Sequence, residues 1–126
     1  MSIAFWCVLG AILLPYVTVG IAKWSRDYDN AAPREWLATR TGAARRAHSA
    51  HLNHFESLPG FAAAVIIAHL AGATQGWVDA LSVAYLALRI GYTAAYVGDR
   101  PTLRSLLWMA ALGCVIALFV AAAAAR

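Results

Sequence analysis

Residues 46–59 read Arg46-Ala-His-Ser49-Ala-His-Leu-Asn53-His-Phe-Glu56-Ser-Leu-Pro59 and run directly into the apolar stretch Gly60–Ala68. Neither glycine nor proline interrupts residues 46–58, so the pattern predicts one helix that begins polar and ends apolar. At 3.6 residues per turn Arg46, Ser49, Asn53 and Glu56 fall at i, i+3, i+7 and i+10 and share a face. A guanidinium, a hydroxyl, an amide and a carboxylate thus line one stripe. An acidic side chain at the centre of a bilayer costs roughly 2.5–3.5 kcal/mol on insertion scales, so such a stripe needs a partner or a wet cavity.

The rest of the chain is the kind of sequence that such a helix would belong to. It has 126 residues, 62% of them hydrophobic and 13% charged, with a mean hydropathy of +0.63. A soluble domain is nearer to about 45–50% apolar and about 25% charged. These values describe an all-α integral membrane protein, and the length suits a single domain over residues 1–126. The formal charge of +4 raises nucleic acid as a partner. The cations cluster beside apolar spans, however, which is a signal of membrane topology, and no nucleic-acid partner is expected. Cys7 and Cys114 stand alone in apolar runs and read as small core residues, neither a disulfide framework nor a metal pair.

Four transmembrane helices are expected, at about 3–22, 43–71, 77–97 and 102–125. The first carries no charge and reaches the roughly 20 residues needed to cross hydrocarbon. Pro15 would kink it, which membrane helices tolerate. A cleaved leader is disfavoured by the lack of a basic n-region and of a small-residue cleavage site. Residues 23–45 form a polar connection with a turn at Asn30–Pro33, and Trp24 and Trp36 are placed as interface aromatics. Pro101 suits the first turn of the last helix. Gly10, Gly20, Gly91 and Gly113 are candidates for close helix contacts. The first connection holds Lys23, Arg26, Arg34, Arg40, Arg45 and Arg46, the third Arg100 and Arg104, and the second no basic residue. The first and third connections are therefore expected in the cytoplasm and both termini outside, with Arg126 as a single opposing charge.

This topology sets depths. At 1.5 Å per residue Glu56 lies about 15 Å deeper than Arg46, and Arg89 about 10 Å deeper than Tyr96. Opposite charges at matched depth are predicted to pair. Arg89, Tyr92 and Tyr96 share a face at i, i+3 and i+7. The expectation is one polar cavity, open to the cytoplasm, between the second, third and fourth helices, with a positive excess suited to an anionic ligand. Tyr85 and Trp108 read as packing residues. His48, His51 and His54 spread around the helix at i, i+3 and i+6, so they read as interface or packing histidines and no metal site is expected.

The stretch Arg46 to Glu56 resembles the Arg-x-x-x-Ala-His-x-Asn-x-x-Glu signature of the MAPEG family, membrane-associated proteins in eicosanoid and glutathione metabolism. Arg89-Ile-Gly-Tyr92-Thr-Ala-Ala-Tyr96, followed by Arg104-Ser105, is similar to its second motif, and the resemblance covers essentially the whole chain. It implies a four-helix bundle assembling as a homotrimer, with glutathione as cosubstrate between neighbouring subunits on the cytoplasmic side. It also implies a glutathione transferase or peroxidase-like enzyme acting on lipophilic small molecules in a bacterial inner membrane. Carried over by position, Arg46, Asn53, Glu56, Arg89, Tyr92 and Tyr96 would bind glutathione. Arg104 would stabilise the thiolate, and Ser105 would hydrogen-bond the sulfur or donate a proton. Ser49 and Leu52 stand where enzymatic members commonly carry further arginines. Two other readings are a catalytically silent structural or regulatory member and a small multidrug-type transporter. The second is disfavoured because Ile3–Ala22 has no acidic residue.

In single-cysteine variants, positions 53 and 104 are expected to be labelled from the same side of the membrane; labelling from opposite sides would sink the shared cavity.

Overall fold

Two backbone features decide where the long helices stop. After Leu70 the chain turns through Gly72 at φ +78°, and after Val97 it turns through Asp99 at φ +56°. Gly72 N–H donates to the His69 carbonyl and Ala73 N–H to the Ala68 carbonyl. Asp99 and Arg100 repeat the pattern on the carbonyls of Tyr96 and Ala95. Both ends are Schellman motifs, in which a left-handed residue lets the next amides close the last turn. Glycine takes that conformation without steric cost, and Asp is among the few other residues that tolerate it.

The computed structural model describes residues 1–125; Arg126, with its opposing terminal charge, lies outside the described residues. The elements are α1 (Ile3–Ala22), α2 (Pro33–Ala38), α3 (Gly42–Leu70), α4 (Gln75–Val97) and α5 (Pro101–Ala124). The four long helices fall within two residues of the expected bounds. The short α2 was not expected: six residues are too few to show a period, and the Pro33 read as part of a turn is in fact its first-turn proline.

α1 packs along α3 and α4 along α5, while α3 and α4 touch all the other long helices. α1 and α3 are antiparallel: Phe5 meets the His69 ring at 4.9 Å, and Tyr16 meets Phe55 at 5.7 Å. The shared core is built from small residues, among them Ala4, Cys7, Ala11, Ala64, Ala68 and Cys114, with Phe61 and Leu118 filling the wider gaps. Small side chains let helices approach where lipid removes the hydrophobic drive. Of the four candidate glycines, only Gly10 and Gly91 serve such contacts, against Leu86 and Leu107; a Cβ added at Gly20 or Gly113 would meet nothing within 4 Å. α1, α4 and α5 are each long and apolar enough to cross a membrane. α3 is longer, at 29 residues, but its first half is polar.

The ends of the bundle are tied by two side chains. The Schellman motif leaves the Val97 carbonyl over, and Arg46 takes it with Nε and Nη2 at 3.1 and 3.0 Å. At the opposite end Asp79 Oδ1 accepts the Ala4 amide of α1 at 2.8 Å, and Gln75 Nε2 at 2.8 Å. A carboxylate on a helix N-terminus satisfies an orphan donor and complements the helix dipole.

α2 lies across the Arg46 end of the bundle. Its Trp36 and Leu37 are buried with Ala22 and Ala47, against Val97. Trp36 is therefore a core residue of the cap and not the interface aromatic expected, whereas Trp24 is 92% exposed. Arg40 stacks over the Trp36 ring at 4.0 Å and pairs with Asp27 at 3.2 Å. The Asp27 carboxyl is held below its ordinary range first by the Ser25 hydroxyl and then by Arg40.

Asp79→Ala removes the acceptor on α1 and is expected to cost about 1 kcal/mol, the usual value of a helix-capping oxygen. Thermal unfolding in detergent should show a lower midpoint for Asp79→Ala and a smaller drop for Asp79→Asn.

Candidate functional site

The largest fully buried side chain in the protein is that of Arg89, on α4, at 1% exposure. A guanidinium carries five N–H donors and no acceptor, so burial demands acceptors around it. α3 supplies them. Arg89 Nη2 donates to Asn53 Oδ1 at 3.0 Å, and Nε and Nη2 reach His54 Nδ1 at 3.3 and 2.8 Å. The face of the guanidinium lies 4.2 Å over the Tyr92 ring. Each acceptor is neutral. The direct Glu56–Arg89 pair expected from depth does not form: Asn53 stands between them and donates from Nδ2 to Glu56 Oε2 at 2.9 Å. Glu56 and Arg89 do come to one level, but an amide with both a donor and an acceptor bridges the two charges.

Behind Arg89, His54 is itself buried, with Nε2 2.7 Å from Thr93 Oγ1. Below it, the Tyr85 hydroxyl donates to Ser57 Oγ at 3.0 Å while its ring stacks on Phe61 at 3.8 Å. Above it, Tyr92 meets Tyr96 edge to face at 5.6 Å, and Arg104 of α5 lies 4.6 Å over the Tyr96 ring. The i, i+3, i+7 face of α4, Arg89, Tyr92 and Tyr96, is thus continued by Arg104 of α5 into a ladder in which two rings lie between two cations.

The ladder borders two cavities where one was expected. The deeper, of about 260 Å³, has Asn53, Glu56, Ser57 and Arg89 at its polar end and Gly60, Ala111, Leu112 and Val115 along its apolar length. The shallower and more open one, of about 430 Å³, is lined by Tyr92, Tyr96, Arg104, Ser105 and Met109. Trp108 lines both and forms the wall between them. A side chain one helical turn beyond Arg104 is placed there by α5 itself. Trp108 and Tyr85, read from sequence as packing residues, therefore belong to the cavity walls.

The stripe on α3 divides. Asn53 and Glu56 reach the deeper cavity, but Arg46 is committed to the Val97 carbonyl and, like Ser49, lines neither. Among the described residues the one ion pair is Arg40–Asp27, far from the cavities in the cap. Arg89 and Arg104 thus border the cavities with no carboxylate within 4 Å of either. His54 reads from sequence only as an interface or packing histidine, and Ser57 and Thr93 carry no sequence signal of their own. The available signal was chemical: a buried arginine needs neutral acceptors, and His54 adjoins Asn53 at the depth of Arg89. His48 and His51 face one another with ring centroids 5.7 Å apart, and among the described residues no three metal-ligating side chains converge.

The sequence model of the MAPEG family matches residues 3–124 of this chain. No curated protein matches it.

Because Asn53 and not Glu56 holds Arg89, Asn53→Ala is expected to destabilise the protein by about 1–3 kcal/mol, the cost of stranding a buried donor. Glu56→Gln should cost less than about 0.5 kcal/mol, since the new amide oxygen still accepts from Asn53. Denaturation of the two variants in the same detergent would decide; equal losses would favour a direct ion pair.

Proposed function

The chain belongs to the MAPEG family, a membrane family whose proteins generally use glutathione, and on that premise we propose that it is a glutathione-binding membrane enzyme of the transferase or peroxidase-like type. The observation that carries this reading is the pair of cations without carboxylate partners, Arg89 and Arg104, bordering adjoining cavities across Trp108. Two guanidiniums with no carboxylate in direct contact, beside a largely apolar chamber, suit an anionic thiol peptide and a lipophilic second substrate.

In this reading α1, α3, α4 and α5 all cross the inner membrane of a bacterium, with the α2 cap and the cavities facing the cytoplasm and both termini outside. Three copies assemble, and glutathione lies between neighbours. Asn53, Glu56 and Arg89 hold polar groups of the tripeptide at the deeper level, and Tyr92 and Tyr96 line its approach. Arg46 supports the site from the end of α4, through its bonds to Val97, more than by direct contact.

Arg104 does the activating work. Its guanidinium has no hydrogen-bond acceptor among the described residues and is steadied by the Tyr96 ring. A cation beside a thiol favours the thiolate, which is the nucleophile. Lowering a thiol pKa by ~2 units corresponds to about 2.7 kcal/mol. With an epoxide or activated alkene, the sulfur–carbon bond forms as the electron pair moves to oxygen or the adjacent carbon. The Ser105 hydroxyl, one residue from Arg104, can deliver the proton that this centre needs. Arg104 and Ser105 line the more open cavity, where a membrane-soluble electrophile can reach the thiolate.

A catalytically silent member of the family is the second reading. Its support is that Ser49 and Leu52 add no cation to the α3 face, and Leu52 is exposed.

Ultraviolet titration of bound glutathione is expected to show thiolate at neutral pH in the wild type. In Arg104→Ala the midpoint should move upward, because the cation that favoured the charged form is gone. Turnover of a generic electrophile should fall about 100-fold, the factor equivalent to two pKa units. Glutathione binding with no thiolate and no turnover in the wild type would select the silent reading, and absence of binding would remove both.

A further inference from the structure

Donor and acceptor chemistry around Arg89 leaves no freedom in its neighbour. Arg89 can only donate, so His54 Nδ1, in contact with Nε and Nη2, must be an acceptor. The imidazole is then neutral, with its proton on Nε2. That proton points to Thr93 Oγ1 at 2.7 Å. The Thr93 hydroxyl in turn donates to the Arg89 backbone carbonyl at 3.1 Å. The four groups make a closed, one-directional ring: Arg89 side chain to His54, His54 to Thr93, Thr93 to the Arg89 main chain. A protonated His54 would place donor against donor and a second cation beside the first, so the ring admits one tautomer only.

The ring also orients the guanidinium. Nε and Nη2 are engaged by His54 and Asn53, and the ring face by Tyr92. Nη1 has no protein partner among the described residues, and Arg89 lines the deeper cavity. We propose that His54 is the positioning residue of this site: a neutral acceptor, locked in one tautomer by Thr93, that fixes Arg89 without a carboxylate in direct contact and with one donor nitrogen free for a carboxylate of the bound peptide. A carboxylic acid in place of His54 would hold the guanidinium equally well but neutralise it. A leucine would leave it without a fixed direction. The arrangement specifies the ligand class as well, because a buried guanidinium with a free donor and no directly bonded carboxylate selects an anionic group over a neutral amide or ester. This inference rests on the glutathione reading for the identity of the ligand, but not for the geometry of the ring.

The test combines four variants of the whole protein in detergent or nanodiscs with glutathione as the probe. His54→Leu should raise the glutathione dissociation constant about tenfold or more, the effect of losing a charge-assisted hydrogen bond. Turnover at saturating glutathione should change much less. His54→Asn puts an amide oxygen at the distance of Nδ1 and should restore affinity to within about threefold of the wild type. The double variant His54→Leu/Arg89→Leu should bind no more weakly than Arg89→Leu alone, because His54 acts through Arg89. Additive losses, or a His54→Leu protein that binds like the wild type, would overturn the proposal.

A second readout does not depend on glutathione. Spectra of nitrogen-15-labelled arginine should show slowly exchanging, resolved Arg89 guanidinium signals in the wild type and in His54→Asn. These should be averaged in Thr93→Val, which keeps the imidazole but opens the ring, and in His54→Leu. If the wild type shows no affinity for glutathione, the functional reading fails and these spectra alone decide. Signals unchanged in Thr93→Val and His54→Leu would overturn the positioning role; if His54→Leu does not fold, Thr93→Val supplies the comparison.

Discussion

The constraint on which the middle of this protein depends is a buried cation that cannot accept a hydrogen bond. Stripping the water from an ion costs several kcal/mol even after relaxation, and an unpaired one is not sustained. Arg89 is accommodated by neutral dipoles instead of by a counter-ion: the Asn53 amide, the His54 imidazole and the Tyr92 ring. Because two of these lie on α3 and one on α4, the register between the helices follows from the satisfaction of a single guanidinium. A shift of one residue along α3 would carry both acceptors away from it.

The outer ends of the bundle obey the same accounting of backbone groups. Schellman turns close the carbonyls of α3 and α4, and Arg46 takes the one that remains at Val97. Asp79 does the corresponding work for the amides of α1. Both ends are tied by polar contacts, and the core between them is built largely from alanine and cysteine, with Phe61, Val65 and Leu118 among its larger members. Tyr85, Arg89 and Trp108 line the deeper cavity, and the α2 cap, anchored by Trp36, covers the end of the bundle next to Val97.

Charge left unbalanced gives the site its chemical character. Among the described residues no carboxylate touches the cations of the cavities: Glu56 is reached only through Asn53, Asp79 faces the other end of the bundle, and Asp27 pairs with Arg40 in the cap. Arg89 and Arg104 therefore present their charge to the cavities. In low-dielectric surroundings that charge acts more strongly on an anion or a developing thiolate than it would in water.

Most of the helical architecture was legible in the chain because lipid-facing helices are long, apolar and broken by unmistakable residues: Gly72, Pro101 and the charge run after Ala22. Membership of a membrane family and the sharing of a face by Arg89, Tyr92 and Tyr96 follow from motif and period alone. What the sequence could not decide was pairing. Depth arithmetic brought Glu56 and Arg89 level, but whether two charges meet depends on the side chain that stands between them, and that is fixed by how α3 is rotated against α4. The same holds for Arg46, which periodicity put on the ligand stripe and tertiary structure assigned to a helix end. It holds for His54 too, whose burial follows from packing and whose tautomer follows from its partners. Sequence determined which segments are helical and which residues carry charge; only the folded arrangement decided which donors found acceptors, because hydrogen bonds are directional over about 3 Å and no period along a chain encodes the rotation of one helix about another.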